Sequence, residues 1–269
     1  MPPPPPSPHT TLIPNIDVGL PYLRSGRPAR MFAALREKII REAGFDFLSS
    51  FGDMMRHRNF TTNQAGVSNK SRHKCGDAFD FNQGESRLVV IREPRNGVDY
   101  FRSYLKCVRQ DGTQGEQLSL NGGPPKFYCD FTSIAEAFGW HRIRAQSGWQ
   151  TTWKKREFWH YQLTEGYTFD EGMELLYGNG STSVQPAPEF PTVALNDRDD
   201  ESVFHSPRHV RQVQAQLYLL KLLRPLAEVD GAFGPKTQAA VSTFQQQNGL
   251  PVTGIADTET RRALMNAVL

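Results

Sequence analysis

The sequence predicts an α+β chain, with a small antiparallel sheet and flanking helices, followed by a small three-helix C-terminal domain. Three observations predict it. Met31, Leu35, Ile39 and Ile40 recur at helical spacing between about Ala29 and Ala43. The apolar runs Phe45–Phe51, Phe79–Phe81 and Arg87–Ile91 are short and strand-like. The last segment, 209–269, repeats a glycine turn followed by a helix.

Composition sets the outer bounds. A chain of 269 residues, 38% hydrophobic and 11% aromatic, is long enough for one sizeable domain and a small one. No apolar run reaches membrane-spanning length, so no membrane insertion is expected. A net charge of +3 without dense Lys/Arg clustering argues against a nucleic-acid partner. Cys75, Cys107 and Cys129 are an odd set that cannot close a disulfide framework, and they read as buried thiols of a reducing compartment. Cys75, although two residues from His73, is read as a buried thiol with the other two.

Residues 1–28 open with Pro2–Pro6, an extended proline-rich leader. It lacks a basic segment followed by an apolar one, so synthesis in the cytoplasm without a signal peptide is expected. Residues 29–178 form the first domain. The helix over 29–43 is followed by a strand at Phe45–Phe51 that runs into Gly52-Asp53-Met54-Met55-Arg56. Asn59–Lys70, rich in Asn, Thr, Gly and Ser, is a loop, and His57 beside it is a surface histidine. A strand is expected at Arg87–Ile91, a helix at Val98–Val108, a glycine-rich surface loop at Gln110–Pro125 and a helix at Asp130–Phe138. Residues 179–208, with Gly-Asn-Gly-Ser-Thr-Ser, Pro-Ala-Pro and the acidic Asp197, Asp199, Asp200 and Glu201, have no hydrophobic period and read as a linker.

Ser71-Arg72-His73-Lys74-Cys75-Gly76-Asp77-Ala78-Phe79-Asp80 and the distant Glu157-Phe158-Trp159-His160 carry the chemistry. A catalytic zinc ion takes three protein ligands from imidazole nitrogen and carboxylate oxygen and keeps the fourth position for water. His73, Asp80 and His160 would supply that set. Phe79-Asp80-Phe81 alternates as a strand does, so Asp80 points into the site while His73 reaches in from the loop before it. Gly76 permits the turn between them. Glu157, three residues before His160, can stand beside the ion without binding it and take a proton from acidified water. That is the chemistry of amide hydrolysis.

The pattern Ser-x-His-x2-Gly-x-Ala-x-Asp followed much later by Glu-x-Trp-His resembles the zinc peptidases that cut bacterial cell-wall peptides. That group contains lysostaphin, the D-alanyl-D-alanine carboxypeptidases and the hedgehog signalling domain. The chain looks closest to the carboxypeptidase branch, which includes phage endolysins, over roughly residues 30–178. The resemblance implies Zn2+ on His73, Asp80 and His160, with Glu157 as general base. It also implies an arginine at the end of a strand that grips substrate, a part assigned to Arg56, with Arg58 close enough to compete for it. Ser71, in the motif, and Trp159, beside the ligand, are assigned to substrate binding. Gly139-Trp140 resembles the Gly-Trp segment that precedes the last ligand in these peptidases. Trp140, Trp149 and Trp153 read as core packing, whereas Trp159 is placed to wall a cleft.

In the C-terminal segment, Val229–Val241 is echoed by Val252–Leu264, and the stripe Val210, Val213, Leu217 and Leu220 adds a helix ahead of both. Asp230-Gly231, Phe233-Gly234, Thr237, Ala240-Val241, Phe244-Gln245, Gly249-Leu250 and Thr253-Gly254 make this segment resemble the bacterial peptidoglycan-binding domain. Together the two resemblances imply a monomeric, endolysin-like peptidoglycan peptidase, carboxypeptidase or endopeptidase, with an antimicrobial action on the wall and a non-signal route out of the cell. The alternative is an inactive wall-binding protein on a peptidase fold. No acidic pair suited to cutting glycan strands stands out.

Overall fold

A computed structural model describes residues 4–61, 63, 69–95, 97–163, 168–178, 190–200 and 208–268. The chain divides into two compact units, one of residues 1–132, 141–163 and 168–184, the other of 133–140, 164–167 and 185–269. Helices and small antiparallel sheets are mixed throughout, and among the described residues no helix is long and apolar enough to cross a membrane.

In the first unit, β1 (Thr10–Leu12) pairs antiparallel with β2 (Tyr22–Arg24). The expected extended leader is therefore built into the fold over most of its length. Ser7 is buried with its hydroxyl donating to the Leu176 carbonyl, and Ile13, Tyr22 and Leu23 are buried. These apolar residues give the segment something to bury, which its proline content masked. Met1–Pro3 lie outside the described residues.

α1 (Arg27–Ala43) starts with Pro28 in the first turn, where a missing N–H costs nothing, and buries Met31, Leu35 and Ile39 as their spacing predicted, together with Phe32, whereas Ile40 of the expected stripe is exposed. The strand expected over Phe45–Phe51 is instead a 3-10 turn, Phe47–Ser49, and a short β3 (Phe51–Asp53). β4 (Ala78–Phe81) follows, then β5 (Leu88–Arg95) and β6 (Val98–Lys106), paired antiparallel along their whole length. The expected helix at Val98–Val108 is thus β6. Tyr100, Phe101, Arg102, Ser103, Tyr104 and Leu105 are all buried, so the strand is covered on both faces and the alternation that would mark it is missing.

β7 (Glu116–Leu118) and β8 (Lys126–Asp130) emerge from the glycine-rich stretch, followed by α2 (Phe131–Ala137), β9 (Trp140–Arg142), β10 (His160–Leu163) and α3 (Phe169–Tyr177). Two four-stranded sheets result, in the orders β3-β4-β10-β9 and β5-β6-β8-β7. The first positions the site. Phe79 and Phe81 turn to the core at 0% exposure, where Phe79 stacks on Tyr161 and meets Phe32 and Phe51 edge-on, and Phe81 meets Phe47, Phe131 and Phe158. Each such ring contributes about 1.5–3 kcal/mol by leaving water. Asp80, between them, faces the other way.

The second unit contains α4 (His209–Leu219), α5 (Pro235–Gln247) and α6 (Thr258–Val268). Val210, Val213, Leu217, Val241, Phe244 and Leu264 make its core. The internal repeat is written in its hydrogen bonds. Gln214 Oε1 accepts from Gly231 N at 2.8 Å while its Nε2 donates to Asp230 Oδ1, the Ala232 carbonyl and Thr237 Oγ1. Gln245 does the same for the second turn, accepting from Gly254 N at 2.9 Å and donating to Thr253 Oγ1, the Ile255 carbonyl and Thr260 Oγ1.

The segment expected as a linker differs over 190–200. Phe190 and Val193 are buried, Val193 pairs with Ala256 and Arg198 with Ala232, so this stretch runs along both turns. Asp199, read as part of the linker, accepts from Val210 N at 3.0 Å and Arg211 N at 2.9 Å and so caps α4. Residues 179–189 and 201–207 lie outside the described residues.

Candidate metal centre

β4 and β10 lie antiparallel with Asp80 directly opposite His160. His73 comes from the 3-10 turn Arg72–Cys75, whose N-cap Ser71 accepts from His73 N and whose C-cap is Gly76 at φ 67°. Only glycine fits there, because an added Cβ would stand 2.7 Å from Arg24 N. His73 Nε2, Asp80 Oδ1 and His160 Nδ1 converge: 3.1 Å from His73 to Asp80, 3.2 Å from His73 to His160 and 2.9 Å from His160 to Asp80. Ligands of one tetrahedral zinc ion at about 2.0–2.1 Å stand roughly 3.3 Å from one another, so three donors this close fit a single small ion.

The outward nitrogens support the same assignment. His73 Nδ1 donates to the Met54 carbonyl at 2.5 Å, and His160 Nε2 donates to Gln162 Oε1 at 3.1 Å. In the neutral ring each bond places the proton away from the centre and leaves the facing nitrogen a lone pair. Arg56 N also donates to the His73 carbonyl at 3.2 Å, so the stretch after β3 holds this histidine by side chain and backbone. Burial alone would raise the Asp80 carboxyl, but the charges and hydrogen bonds of His73 and His160 hold it well below the usual carboxylate range. Burial pushes His160 down, and the Asp80 carboxylate reverses that and raises it.

Glu157 is 7% exposed and sits at φ 55°, a left-handed conformation rare for an L side chain. Its carbonyl accepts from His160 N at 3.1 Å. Burial, helped by the Asp80 charge and opposed by His160, His73 and a hydrogen bond from Gln146, raises its carboxyl to about 7.

Arg56 stands at the centre's edge. Its Nε is paired with Asp53 Oδ2, one terminal nitrogen donates to Ser71 Oγ at 3.2 Å, and the other lies 3.9 Å from Asp80 Oδ2. Arg58 instead lies over the Tyr177 ring at 4.8 Å, so of the two arginines Arg56 is the one brought to the site. Ser71, assigned to substrate, is 8% exposed and spends its oxygen on Arg56 and His73 N, which makes it a support for both. Trp159 is 6% exposed and packs against Phe158 and Trp153, so its ring is buried, and Trp153, 49% exposed, is the tryptophan of this cluster that meets solvent. His57 is exposed and stays away from the centre. Cys75, Cys107 and Cys129 are buried and unpaired with each other, and burial raises all three thiols, Cys107 to about 11. Among the described residues, His73, Asp80 and His160 are the group of metal-binding side chains that meets at one point, without Cys75. Part of the loop expected over 59–70, residues 62 and 64–68, lies outside the described residues.

Three contributors escape a reading of the sequence: Asp53, Gln146 and Gln162. Gln162 carried a usable signal, because residues two apart on a strand share a face. Asp53 is three residues before Arg56, a spacing with no meaning until β3 ends between them. Gln146 has no local signal at all.

Residues 207–264 match the family model described as "Putative peptidoglycan binding domain". This is the α4–α6 module, and the match supports peptidoglycan as its partner and an association of the chain with the bacterial cell wall. No curated protein matches the chain. Among solved structures, one similar chain is described as the crystal structure of the SleB N-terminal domain, at 26% identity and a TM-score of 0.25, covering 30% of this chain and 97% of that one.

Proposed function

We propose that the protein is a zinc-dependent, endolysin-like peptidoglycan peptidase that hydrolyses an amide bond in the peptide stem of the bacterial cell wall. The observation that carries this reading is the convergence of His73 Nε2, Asp80 Oδ1 and His160 Nδ1, with both outward imidazole nitrogens tied to protein acceptors. A zinc ion held there would polarise a scissile carbonyl and acidify water. Glu157, with its carboxyl lifted to about 7, accepts a proton near neutral pH and returns it to the leaving amine. Arg56, steadied by Asp53 and Ser71, offers its remaining donors to a carboxylate or carbonyl of the substrate. The C-terminal module keeps the catalytic domain on an insoluble polymer, raising its local concentration there. The proposed route to the wall is release at cell lysis.

Loss of turbidity of purified sacculi, with mass spectrometry of the released fragments, tests the reading. The native protein clears the suspension and yields new amino termini without new reducing sugars, while Glu157→Ala and chelator-treated protein do not. Equal, negligible clearing by native and Glu157→Ala protein would leave a wall-binding protein without peptidase activity.

A further inference from the structure

Resting on the peptidase reading above, we propose that Gln146 is a positioning residue for Glu157: it holds one carboxylate oxygen so that the other is left to handle the proton. Gln146 Nε2 donates to Glu157 Oε1 at 2.6 Å, across eleven residues of chain. Glu157 is buried and its backbone is confined to the left-handed region, so neither end of the residue is free to swing.

The glutamine is itself fixed at several points. Its backbone N donates to the Lys155 carbonyl at 2.8 Å, on the segment that leads into Glu157, and its carbonyl accepts from Trp149 N at 3.2 Å. The residue before it, Ala145, donates from its backbone to the Asp99 carbonyl at 2.8 Å, and Trp149 Nε1 donates to the Asp99 carboxylate at 2.9 Å. The loop carrying Gln146 is therefore tied at one end to β6 and at the other to the strand-approach that carries the glutamate. Donor and acceptor are set in register by folding, and none of that ordering has to be supplied when substrate arrives.

The choice of amide follows from its charge. A lysine or arginine at this distance would stabilise the ionised carboxylate strongly and weaken it as a base. A neutral amide orients the same oxygen with a smaller loss of basicity, which suits a group that must both take and give a proton. A carboxylate facing Glu157 from the same place would repel it.

Two measurements test the assignment. With zinc-loaded protein and a defined soluble stem peptide, Gln146→Leu lowers kcat by about 10–100-fold while KM stays within about twofold and zinc content is unchanged. Gln146→Glu falls further, and Gln146→Met serves if the leucine form does not fold. With zinc-free native protein, nuclear magnetic resonance shows a Gln146 side-chain amide proton shifted downfield and slow to exchange, and Glu157→Ala returns it to the free-amide position. Native kcat in Gln146→Leu, or an amide resonance indifferent to Glu157→Ala, overturns the proposal. A native protein that cuts no wall bond instead sinks the peptidase reading and the catalytic part of this inference with it, whereas equal cutting by native and Gln146→Leu protein sinks this inference alone.

Discussion

Gln162 accepts from His160 Nε2 at 3.1 Å, two residues along the same face of β10, and is itself 2% exposed. The bond fixes the imidazole tautomer from behind, so the nitrogen facing Asp80 and His73 is the one with a lone pair. Replacing Gln162 by Leu removes that support without touching a ligand. Zinc affinity is expected to fall by about 10–100-fold, read by competition with a chromophoric chelator. Unchanged affinity would show that the tautomer is set by something else.

Zinc uptake should depend on pH with a definite sign. Burial lowers the proton affinity of His160, but its hydrogen bond to Asp80 and the Asp80 charge outweigh this and raise it. The ion must therefore displace a proton held more tightly than on a free imidazole of about 6.5. Affinity falls as the solution is acidified, with a midpoint above that value, and protons appear on binding. Calorimetry in buffers of different ionisation enthalpy measures them, and pH-independent binding between about pH 6 and 8 contradicts the arrangement.

Glu157 makes the opposite contribution to the metal-free fold. Its carboxyl rises from 4.5 in the unfolded chain to about 7 in the folded one. Below the lower value both states are protonated and the residue is neutral in its effect. Between the two values the unfolded chain ionises while the folded carboxyl keeps its proton, so the destabilisation grows with pH and is complete above about 7. Glu157→Gln should then raise the melting temperature of zinc-free protein at pH 8 and leave it unchanged near pH 4. A shift of this size corresponds to a few kcal/mol at most, at about 1.4 kcal/mol per pH unit. A variant less stable at pH 8 would mean that the carboxylate is better solvated than its burial implies.

The aromatic core behind the centre should be the costliest place to cut. Phe79 is fully buried between Phe32, Phe51 and Tyr161 and is next to a ligand in the chain. Phe79→Ala is expected to lose about 3–5 kcal/mol in denaturant unfolding. A loss under about 1 kcal/mol would mean that neighbouring rings collapse into the space.

In the C-terminal module, Gln245→Leu strands the turn amides of Thr253 and Gly254 that its Oε1 serves. An unmet buried donor costs about 1–3 kcal/mol, so the module's melting transition should drop while that of Gln238→Leu, on the same helix, should not. Equal effects of the two substitutions would remove the special place given to Gln245.

The candidate ligand set is legible in the chain because its parts are short-range: a histidine, a turn glycine and an aspartate within one decad, then a glutamate and a histidine within one tetrad. The α1 helix is legible for the same reason, through Met31, Leu35 and Ile39. Val98–Lys106 is not, since a strand covered on both faces spreads Tyr100, Phe101, Tyr104 and Leu105 in a pattern that also satisfies a helix. Asp199 looks like linker because a cap acts on a helix ten residues away, beyond any local rule. Gln146 meets Glu157 only once the intervening loop has folded back, so no spacing announces it.

The cross-strand pairing of Asp80 with His160 has one further consequence. Sliding β10 by a single residue along β4 would turn one of the two side chains to the opposite face of the sheet and put Phe79 or Trp159 in its stead. Ion capture would thereby be a check on strand alignment: only the correctly threaded sheet could chelate, and a mispaired one would forfeit the binding energy. Zinc would act as a proofreader of folding as well as a reagent.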